Sequence, residues 1–151
     1  MATPLRALPL LLLLLLAAPA FGAWEELRRN QSVALLIDPQ SIRSDGDATT
    51  FRYLVDFREA QTDNKVTFFR SLITNAAIRC KERMIAVRGS EGYAGNTGKG
   101  TLLGATAPTP AEAAFKSLEK GTSDEDLWKR VCTKHAGKAA AKPAGKPAPK
   151  K

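Results

Sequence analysis

Residues 51–58 read FRYLVDFR, and their alternation decides the fold. Phe51, Tyr53, Val55 and Phe57 alternate with Arg52, Leu54, Asp56 and Arg58. Side chains of a β-strand point to opposite faces with period two, so four large apolar residues share one face. Upstream, Asp45-Gly46 is a hairpin-turn dipeptide. Before it, VALLI at 33–37 is a short apolar run ended by Asp38-Pro39, the pattern of a buried strand. Downstream, Thr62, Asp63 and Asn64 mark a turn, and Val66 to Ile73 is β-branched and aromatic, which predicts another strand. Connections this short cannot make parallel crossovers, so the strands form an antiparallel meander.

Residues 76–87, AAIRCKERMIAV, fit two structures. Ala77, Cys80, Met84 and Val87 would line one face of a helix, and propensity favours that. Alternation fits as well, with Cys80, Glu82 and Met84 set against Ile85 and Val87. The end of the domain is plainer. Residues 123–132, SDEDLWKRVC, open a helix. Ser123 is a good N-cap, and three acids in the first turn suit the positive end of the helix dipole. Leu127, Val131 and Trp128 give it an apolar stripe, and Lys129 and Arg130 sit near its negative end. AEAAFKSL at 111–118 is a second helix candidate, separated from the first by Gly121.

The first 22 residues read as a secretory signal peptide. Arg6 supplies the positive start, Leu10 to Leu16 are all leucine, and small residues lead to a cleavage point within 20–23. An apolar core of about ten residues is too short to span a bilayer. No cysteine lies near the exit to carry a lipid anchor. The mature chain is therefore expected to be exported, with the periplasm as its first compartment and the outer surface or the medium beyond. In such an oxidising compartment Cys80 and Cys132, the only cysteines, are expected to pair. A closed loop of about fifty residues would contribute up to about 4 kcal/mol. The bond would pin the helix onto the sheet.

The formal net charge of +8 is unevenly placed. Arg6 and the six lysines after Cys132 account for seven of the 23 basic residues, leaving 16 against 15 acids. Residues 24–133 thus read as a nearly neutral domain, without the basic excess of a nucleic-acid-binding fold. Residues 134–151 contain Lys134, Lys138, Lys142, Lys146, Lys150 and Lys151, with Ala, Gly, Pro and the single His135. A segment with nothing to bury reads as a disordered tail, and its lysines are candidate contacts for polyanions.

Residues 92–101, GYAGNTGKGT, raise the question of a phosphate loop. A Walker loop needs glycine where Tyr93 stands and a hydroxyl residue where Gly100 stands. Thr101, Leu102 and Leu103 look extended, whereas the motif requires a helix there. The glycines are better explained as positive-φ positions in a loop between strands. No Ser/His/Asp set exists, because the one histidine falls in the tail. Asn30-Gln31-Ser32 matches a glycosylation sequon, a short pattern common by chance. The composition points to neither enzyme nor cofactor.

Taken in order, several features resemble the surface-adhesin protein E family of Gram-negative bacteria. Trp24 is followed by IDPQSIR at 37–43, Asp45-Gly46, the aromatic strand with Asp56, and FRS at 69–71. Cys80, the glycine-rich loop after Tyr93, Phe115 to Gly121 and SDEDLWKRVC at 123–132 complete it. Phe115 stands where the family pattern suggests tryptophan. The resemblance implies an α+β fold: an antiparallel meander with a C-terminal helix packed on it and tied by a Cys80–Cys132 disulfide. It also tips residues 78–87 to strand. It implies a non-enzymatic envelope or surface interaction protein, adhesive to host macromolecules. The alternative is a periplasmic structural or accessory protein whose basic tail docks on anionic envelope components. Either way the expected partner is a protein or envelope macromolecule, not a specific nucleic acid.

Overall fold

A computed structural model of the chain describes residues 24–62 and 67–139, with side chains as far as Thr133. Residues 1–23, 63–66 and 140–151 lie outside the described residues, and with them the expected signal peptide, the expected turn at Asp63 and Asn64, and most of the expected tail. Seven antiparallel strands form one sheet: β1 (Glu25–Arg29), β2 (Val33–Asp45), β3 (Ala48–Thr62), β4 (Phe68–Arg79), β5 (Met84–Tyr93), β6 (Leu102–Thr106) and β7 (Lys116–Ser117). The first six pair in chain order, as short connections dictate. β7 pairs with β5 at Met84 and Ile85, while β6 pairs with its other half at Ser90–Tyr93. A one-turn helix α1 (Pro110–Ala113) lies between them, and α2 (Ser123–Ala139) closes the fold.

The alternation at 51–58 places β3, but its reading of Leu54 needs correcting. Phe51, Tyr53 and Val55 do share a face, packed with Leu35, Ile37, Ile78 and Ile85 beneath Leu127 and Val131 of α2. Leu54, grouped by alternation with the polar side chains, is fully buried on the opposite face with Ala34, Leu36 and Ile73. Phe57 packs edge-on against Phe69 instead, ring centres 5.8 Å apart. The sheet is therefore buried on both faces at its centre. That is also why residues 34–37 are apolar without a break, since each is buried on one face or the other.

Asp38-Pro39 does not end β2. The strand continues to Asp45 through a bulge, between the pairings of Asp38 with Arg52 and Arg43 with Thr50. The Ser41 hydroxyl donates to the Asp38 carbonyl (2.7 Å) and accepts the Arg52 amide (2.8 Å), standing in for the interrupted ladder. Proline, which has no N–H to give, is tolerated at such a point. The Asp45–Gly46 turn forms as expected, with Gly46 at φ 62°.

The segment 76–87 is neither one helix nor one strand. β4 runs on to Arg79, residues 80–83 turn with Arg83 at φ 55°, and β5 begins at Met84. Its residues occupy both arms of a hairpin, with Cys80 in the turn. The helix expected at 111–118 shrinks to α1, ended as Phe115 turns back to the sheet. Thr109 caps it, and Thr109 and Glu112 form a reciprocal capping box. Phe115 lies beneath the guanidinium groups of Arg79 and Arg88, 4.2 Å and 5.1 Å from the ring centre. This pair of cation–π contacts holds the excursion between β6 and β7 to the sheet.

Cys80 and Cys132 are bonded, with Cα atoms 5.6 Å apart. The bond joins the β4–β5 turn to α2. Around it, the Trp128 indole donates to the Cys80 carbonyl (3.1 Å), and Arg83 stacks on the same ring at 4.1 Å. β1 adds charged contacts: Arg130 forks onto both Glu25 oxygens at 2.7 and 2.6 Å, and Arg28 meets Asp126 at 2.6 Å. The helix backbone extends beyond Thr133 to Ala139, past the point at which composition begins the tail.

Candidate interaction surface

The glycine-rich stretch leaves β5 and returns as β6. Between them Asn96–Gly98 makes a single helical turn folded onto the sheet face opposite α2. Gly98 and Gly100 take φ of 70° and 80°, a conformation that costs other residues strain. Gly98 has a second constraint. A Cβ there would lie 2.7 Å from the Ile73 Cδ1 atom, so any larger residue would have to displace the end of that buried side chain for the loop to settle on Ile73 and Leu54. Gly95 is held equally closely, its Cβ position 2.7 Å from the Lys99 carbonyl oxygen. The loop is a lid on the second core and makes no phosphate cradle.

Two sheet residues pin it. Ser71, fully buried on β4, donates to the Gly95 carbonyl (2.6 Å) and accepts the Gly98 amide (2.9 Å). Asp56, on β3, accepts from the Thr97 amide (2.7 Å) and the Asn96 side-chain amide (3.1 Å). Asn96 also donates to the Phe57 carbonyl (3.0 Å). Ser71 and Asp56 belong to the stretches that carry the sequence resemblance, and here they have a physical reason. They replace sheet and water hydrogen bonds for a loop that would otherwise bury polar groups unpaired.

The pinned loop forms one wall of an open cleft of about 410 Å³. The other walls are the β1–β2 turn, with Asn30, Gln31 and Ser32, and the end of β3, with Phe57 and Arg58. The turn is preorganised, because Asn30 Oδ1 accepts from the Ser32 and Val33 amides at 2.8 and 2.9 Å. Arg29 enters the rim already forked onto Glu26, with contacts from 2.6 to 3.1 Å. That contact raises the Arg29 pKa and holds the Glu26 carboxyl below its ordinary value. Asp56, the carboxylate of the cleft, is engaged with the loop. What remains is a set of amides, hydroxyls and guanidinium groups on a rigid frame, suited to hydrogen-bonding another macromolecule. Periodicity does not reveal this cleft, because it is assembled from three separate segments; the Asn30-Gln31-Ser32 sequon pattern falls on one of its walls. The other sequence signal is the clustering of glycine and asparagine at loop positions.

The cysteines and tail lysines singled out from the sequence lie elsewhere. Cys80 and Cys132 form the disulfide on the α2 side of the sheet. Lys134 and Lys138 fall on the last backbone turns of α2, and Lys142, Lys146, Lys150 and Lys151 lie outside the described residues.

Residues 24–133 match the family model described as surface-adhesin protein E. Among solved structures, the chain is similar to a crystal structure of protein E from non-typeable Haemophilus influenzae. That match has 18% identity and a TM-score of 0.57, covering 76% of this chain and 78% of the other. A second crystal form of Haemophilus influenzae protein E gives 18% identity and a TM-score of 0.59, covering 75% and 89%. These likenesses show a shared fold. No curated protein sequence matches the chain.

Proposed function

The chain belongs to the surface-adhesin protein E family, and we propose that it is an exported, non-enzymatic interaction protein of the cell envelope. It would contact other macromolecules, host proteins included, through the loop end of its sheet. The observation that carries this reading is the preorganised polar cleft between the β1–β2 turn, the end of β3 and the pinned glycine loop. Binding surfaces gain from groups fixed before the partner arrives, since less ordering entropy is then lost. Asp56 supports a binding role over catalysis, because its hydrogen bonds position the loop.

The test is direct binding of the purified domain to immobilised extracellular-matrix proteins. Arg58→Glu and Gln31→Ala would be compared with a remote surface variant, Lys81→Ala. Loss confined to the cleft variants supports the reading, and equal binding by all four proteins removes the cleft from it.

The second reading keeps the protein in the periplasm, and the six lysines after Cys132 favour it. A segment so dense in positive charge is drawn to anionic lipid or lipopolysaccharide phosphate, with strong salt dependence. Deleting residues 140–151, which hold Lys142, Lys146, Lys150 and Lys151, would abolish sedimentation with anionic vesicles on this reading. The cleft binding would be untouched.

A further inference from the structure

We propose that the free edge of β6 is a docking site for an extended segment of another protein, added to the sheet as a further strand. The inference goes beyond the polar cleft and stands on different residues.

The two ends of the sheet are defended differently. β1 reads EELRR, and four of its five side chains are charged. Such a row repels a stray strand, and α2 braces it through Glu25 and Arg28. β6 reads LLGAT, with no charge and no proline. All five of its residues are exposed, and among the described residues it pairs with β5 alone. Its outward backbone groups therefore offer alternating donors and acceptors that an extended peptide matches in full. Three large apolar side chains stand out as exposed: Phe68 at 55%, Leu102 at 50% and Leu103 at 36%. Two of the three are on this strand.

Beside the edge, on the sheet, is a groove of about 350 Å³ bordered by Phe69, Leu72, Gly92, Leu103, Thr106 and Glu112. Gly92 keeps it open, because a Cβ there would fill the space against Phe69 at 3.7 Å. A free edge next to an apolar groove is the arrangement in which main-chain bonds give affinity and alternate side chains give specificity. The groove takes an aliphatic side chain. Its one charged border residue is Glu112, fixed by the Thr109 amide and hydroxyl at 2.8 and 2.9 Å. The incoming segment therefore carries a lysine or arginine near its aliphatic residue. A second copy fits less well, because β6 itself has no basic residue to answer Glu112, and Arg28 and Arg29 of the other edge strand are already paired with Asp126 and Glu26. The chain's own tail fits less well too, because Pro143, Pro147 and Pro149 lack the N–H that a ladder needs.

The probe is a synthetic peptide of alternating valine and threonine with one lysine, and its control is the same peptide N-methylated at alternate amides. Binding is read by fluorescence anisotropy, and amide exchange of Leu102–Thr106 by NMR on the full mature chain. The expected result is saturable binding that slows exchange along β6 and is lost on N-methylation. A double variant, Leu103→Lys with Ala105→Lys, should weaken binding about tenfold or more with an unchanged melting temperature. It should also leave binding at the polar cleft intact, so the two sites can fail separately. The proposal is overturned by absence of binding at about 1 mM peptide, or by binding that leaves β6 exchange unchanged. It is also overturned if β6 protection rises with protein concentration alone, which would assign the edge to a second copy. Protection that disappears on deleting residues 140–151 would assign it to the tail.

Discussion

Gly98 is the residue on which the glycine loop turns. It takes a positive φ, and a methyl group there would press on the end of the Ile73 side chain. Gly98→Ala should therefore cost about 2 kcal/mol, combining backbone strain with a contact that must be relieved. Denaturant titration would measure it, and Gly104→Ala, with open space around its Cβ position, is the control. Ser71 makes a complementary prediction. Its hydroxyl serves a carbonyl and an amide of the same loop, so Ser71→Ala should cost about 1–3 kcal/mol by leaving both without it. Amide exchange in residues 94–101 should accelerate in that variant more than exchange in α2. Equal acceleration in both would mean that the loop is not a separately pinned unit.

At the scale of elements, α2 and the β4–β5 turn act as a pair. Cys80–Cys132 closes a separation of 52 residues, so replacing both cysteines by serine should lower stability by up to about 4 kcal/mol. Thermal unfolding with and without reductant gives the same comparison in the native sequence. The disulfide, the meander and the closing helix were legible in the sequence because each rests on a local signal. Two cysteines in an exported chain, a turn dipeptide and a capped amphipathic segment are such signals. The hairpin at 76–87 was not legible, because its turn is CKER, with no glycine, proline or asparagine to mark it. Arg83 adopts φ 55° there while its guanidinium stacks on Trp128, so tertiary contact overrides helical propensity. Leu54 was misassigned for a related reason: alternation names two faces but cannot say that a distant loop covers the second. The cleft escaped detection because its walls are more than twenty residues apart in sequence.

The whole molecule is a sheet braced on both faces, by a helix on one and by a glycine loop with Trp24 and Tyr93 on the other. Carboxylates tie its outer parts together. Glu125 accepts the Gly121 amide and meets Lys129 and Arg83, and its carboxyl is held below the ordinary range by the first of these contacts above all. Glu112 is lowered by its bonds to Thr109, and Glu26 by Arg29. A carboxyl with a depressed native pKa contributes stability above its unfolded value, near 4.3, and loses it as pH falls through the native value. The domain should therefore hold its stability from neutral pH to about 5 and lose it progressively below about 4. Melting temperature against pH would show this, with a shallower acid limb expected for Glu125→Gln.

A sheet so braced is a rigid platform for presenting loops and an edge, which suits a surface interaction protein. The most direct test of that account is labelling of intact native cells with antibodies raised against folded residues 24–133, compared with cells whose outer membrane has been opened. The account predicts strong labelling of intact cells, unchanged on opening and lost when the gene is deleted. Labelling that appears only after the outer membrane is opened would contradict it, placing the domain in the periplasm and leaving the lysine tail as the lead to its partners.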